Sequence, residues 1–308
     1  MRAYVALTDD RWYEQLSANS SLEEVNFWRP GGTHQFRAIN PGELFLWKLH
    51  SPRNFIVGGG VFAHATILPL SLAWEAFRDA NGVRSLAEMR SRIEYYRKAK
   101  PVPDEDYFIG CILLEQPFFL PEHSWVPAPE DWKPSIQQGK RYDLDVGMGR
   151  DLWRRLERAL AVTRFELPSV AADAGPRFGA PTLVQPRLGQ GSFRILVTDV
   201  YDRRCAITGE RTLPVLEAAH IRPYTRGGEH RIDNGLLLRS DLHTLFDRGY
   251  MTVSASGDLE ISRRIREEFE NGRDYYALHG KPLRLPEAIT SRPAAEMLIW
   301  HNENVFRG

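Results

Sequence analysis

Three side chains able to move a proton or hold a cation stand close together in the stretch 205–247 of the 308-residue chain: His220, Asn234 fourteen positions on, and His243 nine beyond that. They occur in AAHIRP, NGLLL and DLHTLFDRG, with the pair Gly227-Gly228 between the first two. A neutral imidazole accepts a proton near pH 7, where carboxylates are already ionised. His243 and Asp247 are one helical turn apart, so on a helix they share a face. The elements that would position these groups can be read locally. Val215 and Leu216 lead into His220 as a short strand, and the glycine pair breaks the chain. Leu236 to Leu238 form a second apolar run, and Asp241 to Phe246 has helical character with Ser240 placed to cap it. Strand, loop, strand, helix is the order of a compact metal-binding unit. Each piece alone has a plainer use, since a histidine among alanines usually packs or caps, and a DxHxxxD stretch is usually a solvated helix face. The joint spacing favours chemistry.

These residues resemble the HNH nucleases with the ββα-metal fold: the motif letters, the glycine pair, the apolar run and the helix all occur in order. By that resemblance His220 is the general base that deprotonates a water for attack on phosphorus. Asn234 holds the loop and fixes the imidazole, and His243 is a metal ligand at the start of the helix, with Asp247 where some relatives keep a second ligand. The chemistry suits a phosphodiester, an anion that repels hydroxide and so needs a base working near neutrality and a divalent cation. One imidazole with carboxylate and water oxygens suits Mg²⁺ or Mn²⁺. The chain departs from the family at Ala219, where many relatives carry Asp or His as a further ligand. Glu217, Asp241, Asp247 or added water would complete the shell. Cys205 is the sole local cysteine, so no structural four-cysteine zinc is expected.

Forty Lys and Arg balance forty Asp and Glu. With no global basic field, DNA contact must come from local patches, such as the basic helix faces in 90–100 and 149–158. Two distant cysteines, Cys111 and Cys205, suit a reducing cytoplasm. The opening MRAYVALTDDRWYEQL lacks the apolar core of a signal peptide, and no apolar run is long enough to span a membrane.

The front half alternates strands and helices: strands at Ala3–Leu7, Glu43–Leu49, Phe55–Phe62 and Tyr107–Leu114, helices at 10–16, 71–78, 85–98 and 151–160. The glycines of IVGGGVF imply a bulge or a close backbone approach. The succession of PGELFLWKL and FIVGGGVF is similar to the PUA-like superfamily of small β-barrels, which includes the EVE, YTH, ASCH and SRA readers of modified bases. That resemblance implies a pocket for a flipped base, with Trp28, Trp47, Lys48, His50 and Asn54 as candidate lining and Trp74 as a further aromatic. Taken one at a time, each has a structural use: tryptophans pack and a strand lysine is normally solvated.

The expected architecture is α+β. A PUA-like β-barrel with flanking helices spans 1–165, a Pro-, Gly- and Ala-rich linker 166–192, and a ββα-metal HNH nuclease domain 193–308. The function implied is a modification-dependent DNA restriction endonuclease, acting on double-stranded DNA as a homodimer. Two other readings fit the same residues. One is a sequence-specific or non-specific nuclease whose front domain docks DNA or dimerises. The other is a DNA-binding protein with an inactive site, which Ala219 keeps open.

Overall fold

A computed structural model describes residues 1–19, 21–98, 102, 105–166, 189–254 and 256–308. The chain divides into two compact units, Met1–Pro186 and Arg187–Gly308. Most of the expected linker, 167–188, lies outside the described residues.

The first unit is built on one mixed sheet. Its elements are β1 (Arg2–Thr8), α1 (Asp10–Ser17), β2 (Glu24–Arg29), β3 (Leu44–Leu49), β4 (Phe55–Pro69), α2 (Leu70–Phe77), α3 (Leu86–Arg97), β5 (Phe108–Phe119), β6 (Val126–Pro127), β7 (Gly139–Asp143) and α4 (Gly147–Glu166). The main path runs β2-β5-β4-β3-β1-β7, with β6 on the end of β4. The β1–β3 pair is parallel and the other neighbours are antiparallel. Arg29 Nη2 donates to Gln138 Oε1 at 2.8 Å, so side chains bridge the two edges of an incompletely closed barrel.

The glycines of β4 serve both uses expected of them. Pairing slips between Gly59 and Val61 and again between Phe62 and His64. A Cβ at Gly58 would meet the Trp47 ring at 3.1 Å and the Phe118 carbonyl oxygen at 2.3 Å. Leu152, Leu156 and Ala159 give α4 an apolar stripe that packs on Ala3, Val5, Leu46 and Ile56. Asp9 starts α1 by accepting from the Trp12 amide, and Ser85 does the same for α3 from the Glu88 amide.

The second unit comprises α5 (Gln190–Val200), β8 (Leu216–His220), β9 (Gly235–Arg239), α6 (Ser240–Asp247), β10 (Met251–Val253), β11 (Leu259–Ile261), α7 (Arg264–Phe269), α8 (Arg273–Tyr276) and α9 (Ala295–Asn304). β8 and β9 pair antiparallel, with His220 opposite Gly235. Phe193 and Val197 of α5, and Tyr201 just beyond it, pack with Leu236, Leu238, Leu242 and Phe246 in one buried core. Gly235 permits that approach, because a Cβ there would lie 2.5 Å from Val197 Cγ2. Ser240 is the first residue of α6 and makes no side-chain capping bond; Arg239 holds the cap position. Its guanidinium grips Asp241 at 2.6 and 2.7 Å instead. His301 of α9 is a packing residue. It stacks on Phe246 with centroids 3.7 Å apart, and bonds Thr252 Oγ1 and the Phe246 carbonyl. Burial pushes its pKa down to about 4.

Candidate active site

The loop between β8 and β9 is shaped by two features of the sequence. Gly228 lies against the Arg222 carbonyl so closely that a Cβ would fall 1.9 Å from its oxygen, and Gly227 has φ +80°. The fully buried Asn234 then ties the loop together. Its Oδ1 accepts from the Arg222 amide at 2.9 Å, and its Nδ2 donates to the carbonyls of Arg222 and Glu229 at 3.0 Å each. Every hydrogen bond found for the Asn234 side chain goes to loop backbone. The imidazole of His220 is held by other groups.

His220 ends β8. One face of its ring stacks on Phe193 with centroids 3.9 Å apart and planes 11° from parallel. Its Nε2 lies 2.9 Å from Nδ1 of His230, which stacks on Tyr224 at 4.7 Å and 9°. Burial, and then the positive charge of His230 and His243 when protonated, pushes the His220 pKa down to about 4. The ring is therefore neutral at pH 7 and free to accept a proton.

His243, on α6, lies between two carboxylates. Its Nδ1 is 2.6 Å from Glu217 Oε2, and its Nε2 is 3.3 Å from Asp247 Oδ2. Asp247 follows one turn later on the same helix face, and Glu217 reaches in from β8. Burial raises the Asp247 pKa; His243 opposes that shift and the like charge of Glu217 adds to it. Glu217, His220, His243 and Asp247 line one cleft with Arg194, Tyr224 and Arg226. Asp241 is elsewhere. It forks with Arg239, accepts a long 3.4 Å bond from the Tyr275 hydroxyl, and the Arg239 hydrogen bonds hold its pKa down.

One imidazole with two carboxylates has the donor chemistry of a hard divalent cation site. In this arrangement each carboxylate addresses a nitrogen of His243 and not a common point. Among the described residues no group of three ligands stands preassembled for a metal.

Of the five candidate base-pocket residues of the first unit, Lys48 and Asn54 are joined by a hydrogen bond, and Trp28 and Trp47 are buried. Trp47 is fully buried, edge-on to Trp12 at 5.3 Å and near Phe119 at 5.1 Å, so its ring faces have no room for a base. Trp28 is also buried, and its Nε1 donates to the Asn81 carbonyl at 2.8 Å. Lys48 is 1% exposed, not solvated. Its Nζ donates to the Leu49 carbonyl and Asn54 Oδ1 and sits 5.0 Å from the Trp132 ring centroid, while desolvation lowers its pKa. His50 and Asn54 are exposed, and Trp74 is half-buried beside Arg78.

Sequence reasoning passed over His230 and Tyr224. The signal available was a third histidine two positions after the Gly227-Gly228 pair.

Residues 205–254 match the family described as HNH endonuclease. No curated protein matches the chain in sequence. Among solved structures, the ASCH protein from Zymomonas mobilis is similar at 7% identity and a TM-score of 0.35, over 51% of this chain and 94% of its own. A structure described as the modification-dependent TagI restriction endonuclease is similar at 12% identity and a TM-score of 0.31, over 94% of this chain and 78% of its own.

Proposed function

From the HNH endonuclease domain at 205–254, we infer that this nuclease hydrolyses phosphodiesters of double-stranded DNA at the cleft of His220 and His243, and that its first unit directs it to DNA carrying modified bases. The observation that supports the reading most is the sharing of that cleft by a neutral, half-buried imidazole and a separate imidazole flanked by two carboxylates. His220 takes a proton from water. The water oxygen bonds to phosphorus as the bond to the 3′ oxygen breaks, and the departing oxygen takes a proton from solvent. Arg194 and Arg226 line the cleft as partners for the backbone phosphates. His243, Glu217 and Asp247 are the residues that would hold a divalent ion, Mg²⁺ or Mn²⁺, and when bound it would supply charge neutralisation for the transition state and the leaving oxygen.

One such site cuts one strand, so a double-strand break calls for a homodimer, each copy acting on one strand, or for two sequential nicks. The reading places the protein in the cytoplasm, where the buried cysteines Cys111 and Cys205 stay reduced. No helix among the described residues is long and apolar enough to cross a membrane. The role of the first unit rests on the sequence pattern of β3 and β4, with Trp47 and Trp28 now assigned to packing.

The test is a side-by-side digestion of unmodified, methylated and hydroxymethylated duplexes of one sequence with Mg²⁺ or Mn²⁺. Preferential cutting of a modified duplex is expected. Equal cutting of all three removes the reader role and leaves a nuclease whose first unit docks DNA or dimerises.

A further inference from the structure

We propose that His230 is the positioning residue of His220, selecting the tautomer in which His220 can act as a base. This inference rests on the reading of His220 as the proton acceptor and extends it. Stacking on Phe193 fixes the plane of the His220 ring and leaves open the 180° flip about Cβ–Cγ, which keeps that plane. The 2.9 Å contact between His220 Nε2 and His230 Nδ1 settles the flip. Two nitrogens at that distance need one N–H and one lone pair between them. If His230 donates, His220 carries its proton on Nδ1 and has no lone pair left for water. If His220 donates, its Nδ1 lone pair is available, and the N–H at Nε2 keeps its acceptor after Nδ1 has taken the proton. The second arrangement serves the reaction, and it requires His230 to be neutral with its proton on Nε2.

The loop is built to present that acceptor. His230 stacks on Tyr224, and the preceding residue, Glu229, is held through its carbonyl by Asn234. Asn234 thus acts on the base at one remove, through the residue that touches it.

The test exploits geometry that a purely structural role would not sense. An asparagine amide reaches the place of a histidine Nδ1, whereas a glutamine amide reaches that of Nε2. Nicking of the duplex plasmid that wild-type protein cuts in Mn²⁺ would be followed for the full-length chain and its variants. His230→Ala is expected to lower kcat by about tenfold to a hundredfold with KM unchanged. His230→Asn should recover most of that loss and His230→Gln should not, although both lose the ring that stacks on Tyr224. On a His220→Ala background, His230→Ala should cost nothing more, because a residue acting through another has no effect once that one is gone. Equal activity of the Asn and Gln variants, a loss additive with His220→Ala, or a wild-type rate in His230→Ala overturns the proposal. Should His230→Ala fail to fold, the Asn and Gln variants decide the matter alone. A His220→Ala protein that cuts at the wild-type rate contradicts the base assignment itself, a separate failure from that of His230.

Discussion

His220 is held by a stacked phenylalanine, a tilted histidine and partial burial, and each has a consequence for its acid–base behaviour. With a pKa near 4, the ring gains a proton only in moderately acid solution. The base form is complete at neutrality and is lost as pH falls through that value. The kcat/KM profile, which reports the free enzyme, should therefore show no His220 step near the ordinary imidazole value of about 6.5. A break there that disappears in His220→Ala would contradict the assigned environment. Glu217 and Asp241 make an equally sharp pair, since one addresses His243 and the other is locked by Arg239. Glu217→Gln should weaken Mn²⁺ binding, read by calorimetry, while Asp241→Asn should leave it unchanged; the reverse ranking would move the ligand set. The sequence alone left those two carboxylates undecided, because spacing along a chain does not say which way a strand residue and a first-turn residue turn. His230 escaped notice for a related reason. Its partnership with His220 arises from loop closure between residues ten positions apart, and no local pattern encodes it.

At the scale of elements, the β8–β9 unit depends on how its loop is tied. Asn234 satisfies one amide and two carbonyls in a buried setting. Asn234→Ala removes the partner of the Arg222 amide and carbonyl, while the Glu229 carbonyl keeps the Arg231 amide, and should destabilise the second unit by about 1–3 kcal/mol, measured by denaturant unfolding. Amide exchange over 222–230 should rise ahead of the rest. Uniform exchange across the unit would show that the loop is held by other means. The strand–loop–strand–helix order was legible because its signals are local: an apolar run, a glycine pair and a helical stripe. The cap of α6 was misread, since Arg239 occupies the cap position and pairs with Asp241, leaving Ser240 inside the first turn. Strands β2, β6 and β7 went unassigned. β2, EVNFWR, buries Asn26 through a hydrogen bond to Asn81 Oδ1, 55 positions away, and sets Phe27 next to Trp28, which breaks the apolar–polar alternation expected of a strand. Lys48 was misjudged in the same way, because its acceptors come from Leu49 and from Asn54 beyond the turn.

At the scale of the molecule, the chain divides into two compact units, and the proposed reading, which puts chemistry in the second and substrate choice in the first, predicts that the two are separable by mutation. The first unit contains a buried carboxyl with no hydrogen-bond partner found for either oxygen, Glu115. Burial, with the charge of Glu24 adding, pushes its pKa up to about 8. An acid whose folded pKa is raised holds its proton longer in the folded state. Stability is thus undiminished below the ordinary carboxyl value and falls as pH rises from there through about 8. Urea midpoints of the wild type should decline over that window, and Glu115→Gln should flatten the decline; parallel curves for the two proteins would contradict the assignment. The mixed α+β class of this unit was legible from strand and helix patterning, whereas the burial of two of its candidate base-pocket residues was not. Trp47 and Trp28 are spent on packing, and only folding shows which aromatic faces are covered. The account as a whole rests on His220 and His243 serving one reaction in one cleft. The most direct test is Mn²⁺-dependent nicking of duplex DNA by the wild type, His220→Ala and His243→Ala at matched stability. Both variants are predicted to fall by about 10²–10⁴-fold, and wild-type cutting by either one would contradict the shared site.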